Sequence, residues 1–117
     1  MIKVSPSMLA CDFTKFGAEV EKVDKAGAEY IHLDIMDGVF VPNISFGLPL
    51  VEAARRVTDK VLDVHLMIVE PEKYIKQFAD AGADLIVFHY EATNNHKEVI
   101  DMIHSLGKKA GMSIKPA

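Results

Sequence analysis

Histidine and aspartate side chains recur at alternate positions of two short apolar runs of the chain. His32 and Asp34 are separated by one leucine in the first run, and Asp63 and His65 are separated by one valine in the second. Neighbouring side chains of a β-strand point to opposite faces, so each pair shares one face of its strand. Imidazole and carboxylate groups are ligands that suit a divalent metal ion. The spacing therefore indicates a polar site on one face of a sheet.

His32, Asp34 and His65 are predicted to form three corners of a divalent-metal site. Two such residues of one strand lie about 7 Å apart and the next strand lies about 4.8 Å away, so the three side chains can converge on one ion. Burying them together with His89 of a later run would be costly unless something paired them. A single strand histidine is more often a hydrogen-bonded core residue, so the prediction rests on the combination. No fourth ligand is evident.

The elements that must position these residues alternate between strands and amphipathic helices. Hydrophobic periodicity and the placement of glycine and proline predict both kinds of element. The predicted strands span residues 2–9, 30–36, 61–68, 85–90 and 109–115, and the predicted helices span 12–26, 49–57, 71–81 and 95–106. Such alternation is typical of a parallel sheet with crossover helices. Residues 37–46 form a loop that is long for such a connection.

An internal repeat favours a barrel over an open sheet. The segment Ala26–Ile31 matches Ala81–Ile86 at a period of 55 residues, which covers two βα units. No Gly-x-Gly-x-x-Gly motif follows the first predicted strand, so a dinucleotide-binding sheet loses its main support. The predicted fold class is α/β, of the (βα)8 TIM-barrel type, with about the first four βα units and a fifth strand. Barrel active sites lie at the carboxyl ends of the strands, near these polar residues.

Composition excludes several other classes of protein. The chain has 117 residues, half of them hydrophobic, and a formal net charge of −4, which does not suit binding to nucleic acid or to an anionic membrane. Its single cysteine excludes an internal disulfide framework and sites built on several cysteines. No signal peptide or membrane-spanning run is evident. A soluble cytoplasmic protein is expected.

Four motifs in this chain resemble one family in order and in spacing. They are Ser5–Ala10, His32–Gly38, Phe40–Gly47 and Asp63–Met67. Together they resemble the ribulose-phosphate 3-epimerase family, and the block His-Leu-Asp-Ile-Met-Asp-Gly-Val-Phe-Val-Pro-Asn is its most specific part. The related allulose-phosphate epimerases share much of this pattern.

The resemblance implies an isomerase of the pentose phosphate pathway that interconverts D-ribulose 5-phosphate and D-xylulose 5-phosphate through an enediolate. It implies that His32, Asp34 and His65 are three of four protein ligands to zinc, iron(II) or manganese. Asp34 would also be one of two acid–base carboxylates. The resemblance also implies that Ser7 and His65 contact the substrate. Met36 and Met67, which as isolated residues are more often core filler, would line the pocket.

The chain departs from the family pattern in length. The family barrel has eight βα units and about twice this length, so residues 1–117 are expected to be one incomplete domain, the N-terminal part of the barrel. The second carboxylate and the glycine-rich phosphate site are not present, and the 117-residue chain alone is expected to be inactive and to form a homo-oligomer through open sheet edges. The alternatives are a non-catalytic half-barrel that binds metal or assembles without turnover, and a related enzyme such as allulose-6-phosphate 3-epimerase.

Overall fold

A parallel sheet of four strands forms the centre of the molecule. The computed structural model describes residues 2–116. The strands are β1 (Tyr30–Met36), β2 (Val61–Met67), β3 (Leu85–His89) and β4 (Lys109–Ser113). Each strand pairs in parallel with the next one in the chain, and this order confirms the predicted α/β class.

Four α-helices connect and cover the strands. They are α1 (Phe16–Lys25), α2 (Leu48–Val57), α3 (Ile75–Ala81) and α4 (His96–Ser105). Helices that follow each other in the chain also contact each other, so they form one layer. Within residues 2–116, every helix is too short or too polar to cross a membrane.

Two predicted helices begin with a tighter turn than the periodicity indicated. Residues Phe13–Lys15 and Pro71–Lys73 form 3-10 turns, and the regular helices α1 and α3 start only after them. Asp12 caps the first turn, because its carboxylate accepts a hydrogen bond from the Thr14 amide. The predicted strand ends at residues 68, 90 and 115 were too late by one or two residues, which is the ordinary uncertainty of element boundaries.

The predicted first strand, residues 2–9, is wrong as a regular strand. The amides of Tyr30 and His32 donate to the carbonyls of Val4 and Pro6, so this segment lies beside β1 in an extended conformation. Proline has no N–H to return a bond to the neighbouring strand, so the ladder is interrupted there. The segment forms one isolated parallel bridge, Ser7 with His32, and then turns into a 3-10 helix at Met8–Ala10.

The hydrophobic core lies between the sheet and the helix layer. The strand residues predicted to face the helices are 0–6 % exposed, and they are Ile31, Leu33, Ile35, Leu62, Val64, Leu66 and Ile68. Val20, Val51 and Ile103 of the helices are fully buried against this cluster. The opposite face of the sheet is therefore the one that carries the polar side chains.

The internal repeat has a structural basis. Gly27 follows α1 and Gly82 follows α3, and both have positive φ angles, of 100° and 124°. Glycine adopts this conformation without steric cost, so both helices end as the sequence predicts. The alanines one residue later, Ala28 and Ala83, are buried at the start of the next strand unit.

Candidate metal centre

The register between β1 and β2 assembles the polar cluster. His32 lies opposite Asp63, and Asp34 lies opposite His65. The order of the two residue types is reversed between the strands, so each histidine has an aspartate as its cross-strand neighbour. Directly opposite residues have Cβ atoms about 5 Å apart, which brings their side chains into contact.

Asp34 joins the two imidazole rings. Its Oδ1 lies 2.8 Å from Nε2 of His32 and 3.2 Å from Nδ1 of His65. One donor atom from each of the three residues lies within 4.8 Å of the others. The structure thus brings together the three side chains that the alternation predicted to converge.

Ser7 reaches the second oxygen of the same carboxylate. Its hydroxyl donates to Oδ2 of Asp34 at 2.6 Å, while Ser7 itself is exposed. The Asp34 side chain is 13 % exposed, so it is enclosed but still open to a small molecule. The isolated bridge between Ser7 and His32 explains this contact, because it places the serine beside the start of the cluster.

Met36 and Met67 form the rim of the cluster. They are the last residues of β1 and β2, lie opposite each other in the register, and are half-buried. They share the strand face of the polar residues because they follow Asp34 and His65 by two positions. These two thioethers are therefore placed at the carboxyl edge of the sheet, beside the site.

Two further residues complete the cluster, and sequence analysis had not assigned them a role. Nδ1 of His32 lies 2.8 Å from Oδ2 of Asp63, which also accepts a hydrogen bond from Ser5 at 2.9 Å. Nε2 of His65 lies 2.8 Å from Nε2 of His89. Asp63 was visible as an inward residue of its strand, and the alternation was the signal that could have identified it.

The charges of the cluster follow from these contacts. Hydrogen bonds to Asp34 and then to Asp63 raise the pKa of His32 to about 10, against an opposing effect of burial. Burial alone would raise the pKa of Asp34, but the hydrogen bonds from His32, His65 and Ser7 outweigh it and hold that pKa well below its usual range. Asp34 is therefore an ionised carboxylate at neutral pH.

His89 has the opposite character. Burial, and next the charge of His65, lower the pKa of His89 below its ordinary value, so the ring is neutral. A neutral ring can accept a hydrogen bond from His65 through Nε2. Its Nδ1 lies 3.7 Å from Glu91, which is too long for a hydrogen bond.

The loop after β1 is held close to the site by Asp37. One carboxylate oxygen of Asp37 accepts from the amides of Val39 and Phe40, and the other accepts from the amide of Val69 beyond β2. Ser45 closes the loop, since its hydroxyl donates to the Asp34 carbonyl. The backbone that carries Asp34 is therefore restrained from the loop side as well as by the sheet.

The donor set fits a divalent cation. Two imidazole nitrogens and one ionised carboxylate suit zinc, iron(II) or manganese. Metal-binding histidines normally donate their second N–H to an acceptor that fixes the ring. Here Asp63 and His89 occupy that position for His32 and His65.

Comparison with known proteins identifies the family of this chain. A sequence model described as the ribulose-phosphate 3 epimerase family matches residues 3–117. The chain belongs to this family. Its resemblance to ribulose-phosphate 3-epimerases, stated from four motifs, is thereby confirmed.

Curated ribulose-phosphate 3-epimerases are similar to nearly the whole chain. A ribulose-phosphate 3-epimerase of Synechocystis sp. is 52% identical over 118 residues, which cover 99% of this chain and 51% of that protein. The same enzyme of Bacillus subtilis is 53% identical over 116 residues, 99% of this chain and 54% of that protein. The enzyme of Schizosaccharomyces pombe is 46% identical over 117 residues, 97% of this chain and 51% of that protein. The chain spans about half the length of these relatives.

Proposed function

We propose that the protein carrying these residues is a metal-dependent ribulose-phosphate 3-epimerase, and that residues 1–117 form the N-terminal part of its TIM barrel. The observation that carries this proposal is the position of the Asp34 carboxylate between two imidazoles at the open face of the sheet. Membership of the epimerase family supports the same reaction. Because the family acts on sugar phosphates, the proposed substrate pair is D-ribulose 5-phosphate and D-xylulose 5-phosphate.

Asp34 is the proposed base. The C3 proton of ribulose 5-phosphate is α to the C2 ketone, so its removal gives an enediolate rather than an unstabilised carbanion. A carboxylate held ionised at neutral pH can accept that proton, and the hydrogen bond from Ser7 orients its second oxygen. Inversion then requires an acid on the opposite face of the substrate. Asp63, the other carboxylate of the cluster, contacts His32 and Ser5 on the same sheet face as Asp34, so it is not placed for that role.

His32, Asp34 and His65 are the proposed protein ligands of a divalent ion. When bound, such an ion supplies Lewis-acid stabilisation of the negative charge that develops on the substrate oxygens. Zinc, iron(II) and manganese all accept this combination of nitrogen and oxygen donors. Metal analysis of the purified protein identifies which of the three ions it binds.

The remaining residues of the cluster are proposed to contact the sugar phosphate. Ser7 is exposed beside Asp34, and His65 lies on the other side of it. Met36 and Met67 would form a polarizable wall without an acidic proton of their own, which protects the intermediate from reprotonation at a wrong position.

The proposal predicts a difference between the complete protein and the 117-residue chain. Inversion needs acid–base groups on both faces of the substrate, and among residues 2–116 we assign only Asp34 to such a role, so we expect the chain alone to give no net epimerisation. We also expect it to form a homo-oligomer rather than to act as a monomer. A chain of 117 residues that epimerises ribulose 5-phosphate at the rate of an intact enzyme would contradict the assignment as part of a larger barrel.

The test is isotope exchange at C3. The complete protein, supplied with zinc, iron(II) or manganese, is incubated with D-ribulose 5-phosphate in deuterated water, and NMR follows both exchange and formation of D-xylulose 5-phosphate. Asp34→Asn should lower both rates by at least about 10²–10⁴-fold, the contribution of a positioned acid–base group. Asp80→Asn is the control, because Asp80 pairs with Lys76 on the exposed face of α3. Unchanged exchange in Asp34→Asn would assign the proton to another residue, and faster turnover of D-allulose 6-phosphate would assign the related activity.

A further inference from the structure

Asp63 is a buried carboxylate whose position the proposed reaction does not explain. The residue is 8 % exposed and lies on β2, two positions before His65. Its Oδ2 accepts hydrogen bonds from Nδ1 of His32 at 2.8 Å and from the hydroxyl of Ser5 at 2.9 Å. Its Oδ1 is buried and makes no hydrogen bond within residues 2–116. Burying a carboxylate in this way is costly, so a specific partner must compensate.

The contact with His32 is directional. Asp63 approaches Nδ1, the nitrogen on the far side of the ring from Asp34, which contacts Nε2. Asp63 therefore does not belong to the group of three converging donor atoms. As the acceptor in this contact, the Asp63 carboxylate requires a proton on Nδ1 and leaves Nε2 as the nitrogen that faces the centre.

We propose that Asp63 is a positioning residue that sets the ring orientation and the tautomer of His32 for cation binding. The inference rests on the proposed function, because it assumes the metal centre of His32, Asp34 and His65. A second carboxylate behind a metal-binding histidine fixes the ring and strengthens it as a ligand, and removal of such groups typically costs 10- to 100-fold in metal affinity.

The extended N-terminal segment supports Asp63 in turn. Ser5 donates to the same oxygen that holds His32, and the next residue, Pro6, accepts the backbone N–H of His32. His32 is thus held at its ring and at its backbone by adjoining residues. The corresponding support of His65 is different, because the group 2.8 Å from its Nε2 is the imidazole of His89 rather than a carboxylate. We therefore expect the affinity to depend more on Asp63 than on His89.

The experiment measures zinc affinity of the 117-residue chain by competition with a chromophoric chelator at neutral pH. Asp63→Ala should weaken binding by roughly 10- to 100-fold. Asp63→Asn should weaken it less, because the amide oxygen can still accept from Nδ1 of His32 but carries no charge. Asp84→Asn is the matched control, because that carboxylate pairs with Arg55 at the opposite ends of the strands. The control should lower stability without changing the affinity for zinc by more than about two-fold.

A second readout distinguishes positioning from a merely structural role. In the zinc-loaded chain labelled with ¹⁵N-histidine, NMR should show a protected Nδ1 proton on His32 that Asp63→Ala loses and Asp84→Asn retains. Circular dichroism checks whether Asp63→Ala is folded. If it is not, Asp63→Asn replaces it in this measurement, because asparagine has nearly the same volume as aspartate.

The outcomes separate the inference from the function on which it rests. Zinc binding by the wild-type chain that is unchanged in both Asp63 variants would overturn the positioning role and leave the metal centre intact. Equal loss of affinity in Asp63→Asn and Asp84→Asn would also overturn it, by showing a general effect of stability. A wild-type chain that binds none of zinc, iron(II) and manganese would overturn the metal centre itself.

Discussion

His32 is the residue whose surroundings differ most from those of an isolated histidine. It lies between the carboxylates of Asp34 and Asp63, with one ring nitrogen 2.8 Å from each. Both contacts favour the protonated ring, and they raise its pKa to about 10. In the absence of metal the ring is therefore a cation between two carboxyl groups, and a divalent ion bound at Nε2 would replace a proton. Such replacement makes metal affinity dependent on pH.

The raised pKa of His32 predicts how stability changes with pH in the metal-free chain. Because the folded-state pKa of about 10 lies above the unfolded value of about 6.5, the stabilisation is fully present below about pH 6.5 and is lost as the pH rises to about 10. The free energy of unfolding of His32→Gln should lack this decline, so the difference in unfolding free energy between wild type and the variant should shrink as the pH rises from about 6.5 to about 10. Urea unfolding at several pH values, with a chelator present, measures this difference.

The control for this prediction is His104→Gln, because His104 is exposed near the end of α4. Its unfolding free energy should follow the wild-type pH profile. A difference between wild type and His32→Gln that stays constant from about pH 6 to pH 10 would show that the two carboxylates do not hold the proton on His32.

At the scale of elements, the Arg55 side chain holds the turn between α3 and β3. Arg55 at the end of α2 donates to the carbonyls of Gly82, Thr58 and Lys60 and to the carboxylate of Asp84. This guanidinium joins the end of one helix to the starts of two strands. It also occupies the space beside Gly82, where a Cβ atom would lie 2.6–2.8 Å from its side chain.

Replacing each of the two glycines of the repeat by alanine should therefore lower the free energy of unfolding by different amounts. Gly27→Ala meets nothing within 4 Å, so it should cost only the backbone strain of a positive φ, about 1 to 3 kcal/mol. Gly82→Ala has the same strain and must also displace Arg55, so it should cost at least about 1 kcal/mol more. Urea unfolding of the two variants provides the comparison. Equal losses would mean that Arg55 moves aside without losing its hydrogen bonds.

At the scale of the whole molecule, both lateral edges of the sheet carry exposed apolar side chains. Ile2 and Val4 are 89% and 56% exposed beside β1, and Met112 and Ile114 are 47% and 73% exposed at β4. Among residues 2–116, β4 has no further strand beside it, and the extended N-terminal segment is all that lies beside the outer edge of β1. Exposed edges of this kind pair with other chains unless a charge or a covering element prevents it.

We accordingly predict that the 117-residue chain self-associates. Light scattering after size exclusion should give a mass above 12.9 kDa at concentrations on the order of 100 μM. Ile114→Lys places a charge at the β4 edge and should shift the chain toward the monomer. Val69→Lys is the control, because Val69 is 38% exposed just after β2, which is an inner strand of the sheet. A monodisperse wild-type monomer would contradict the prediction.

The pattern of apolar and polar residues along the chain was enough to predict which strand face is polar and where the helices lie. Period-two patterning places His32 with Asp34, and Asp63 with His65, on the face opposite the apolar strand residues, because successive side chains of a strand must alternate. Helical periodicity and the placement of glycine predicted the helices and their ends, since these properties are local. The family resemblance was also contained in the motifs alone, and the family match confirms it.

Only the tertiary structure decided which of these residues meet. The register of β1 with β2 sets Asp34 against His65 and His32 against Asp63, and a shift of one residue would have turned one set to the core. The roles of Asp63 and His89 depend on which ring nitrogen contacts which neighbour. The spacing of residues along the chain does not specify this orientation. The predicted first strand failed for a related reason. Strand pairing needs donors from both partners, and at Pro6 the chain has none to offer.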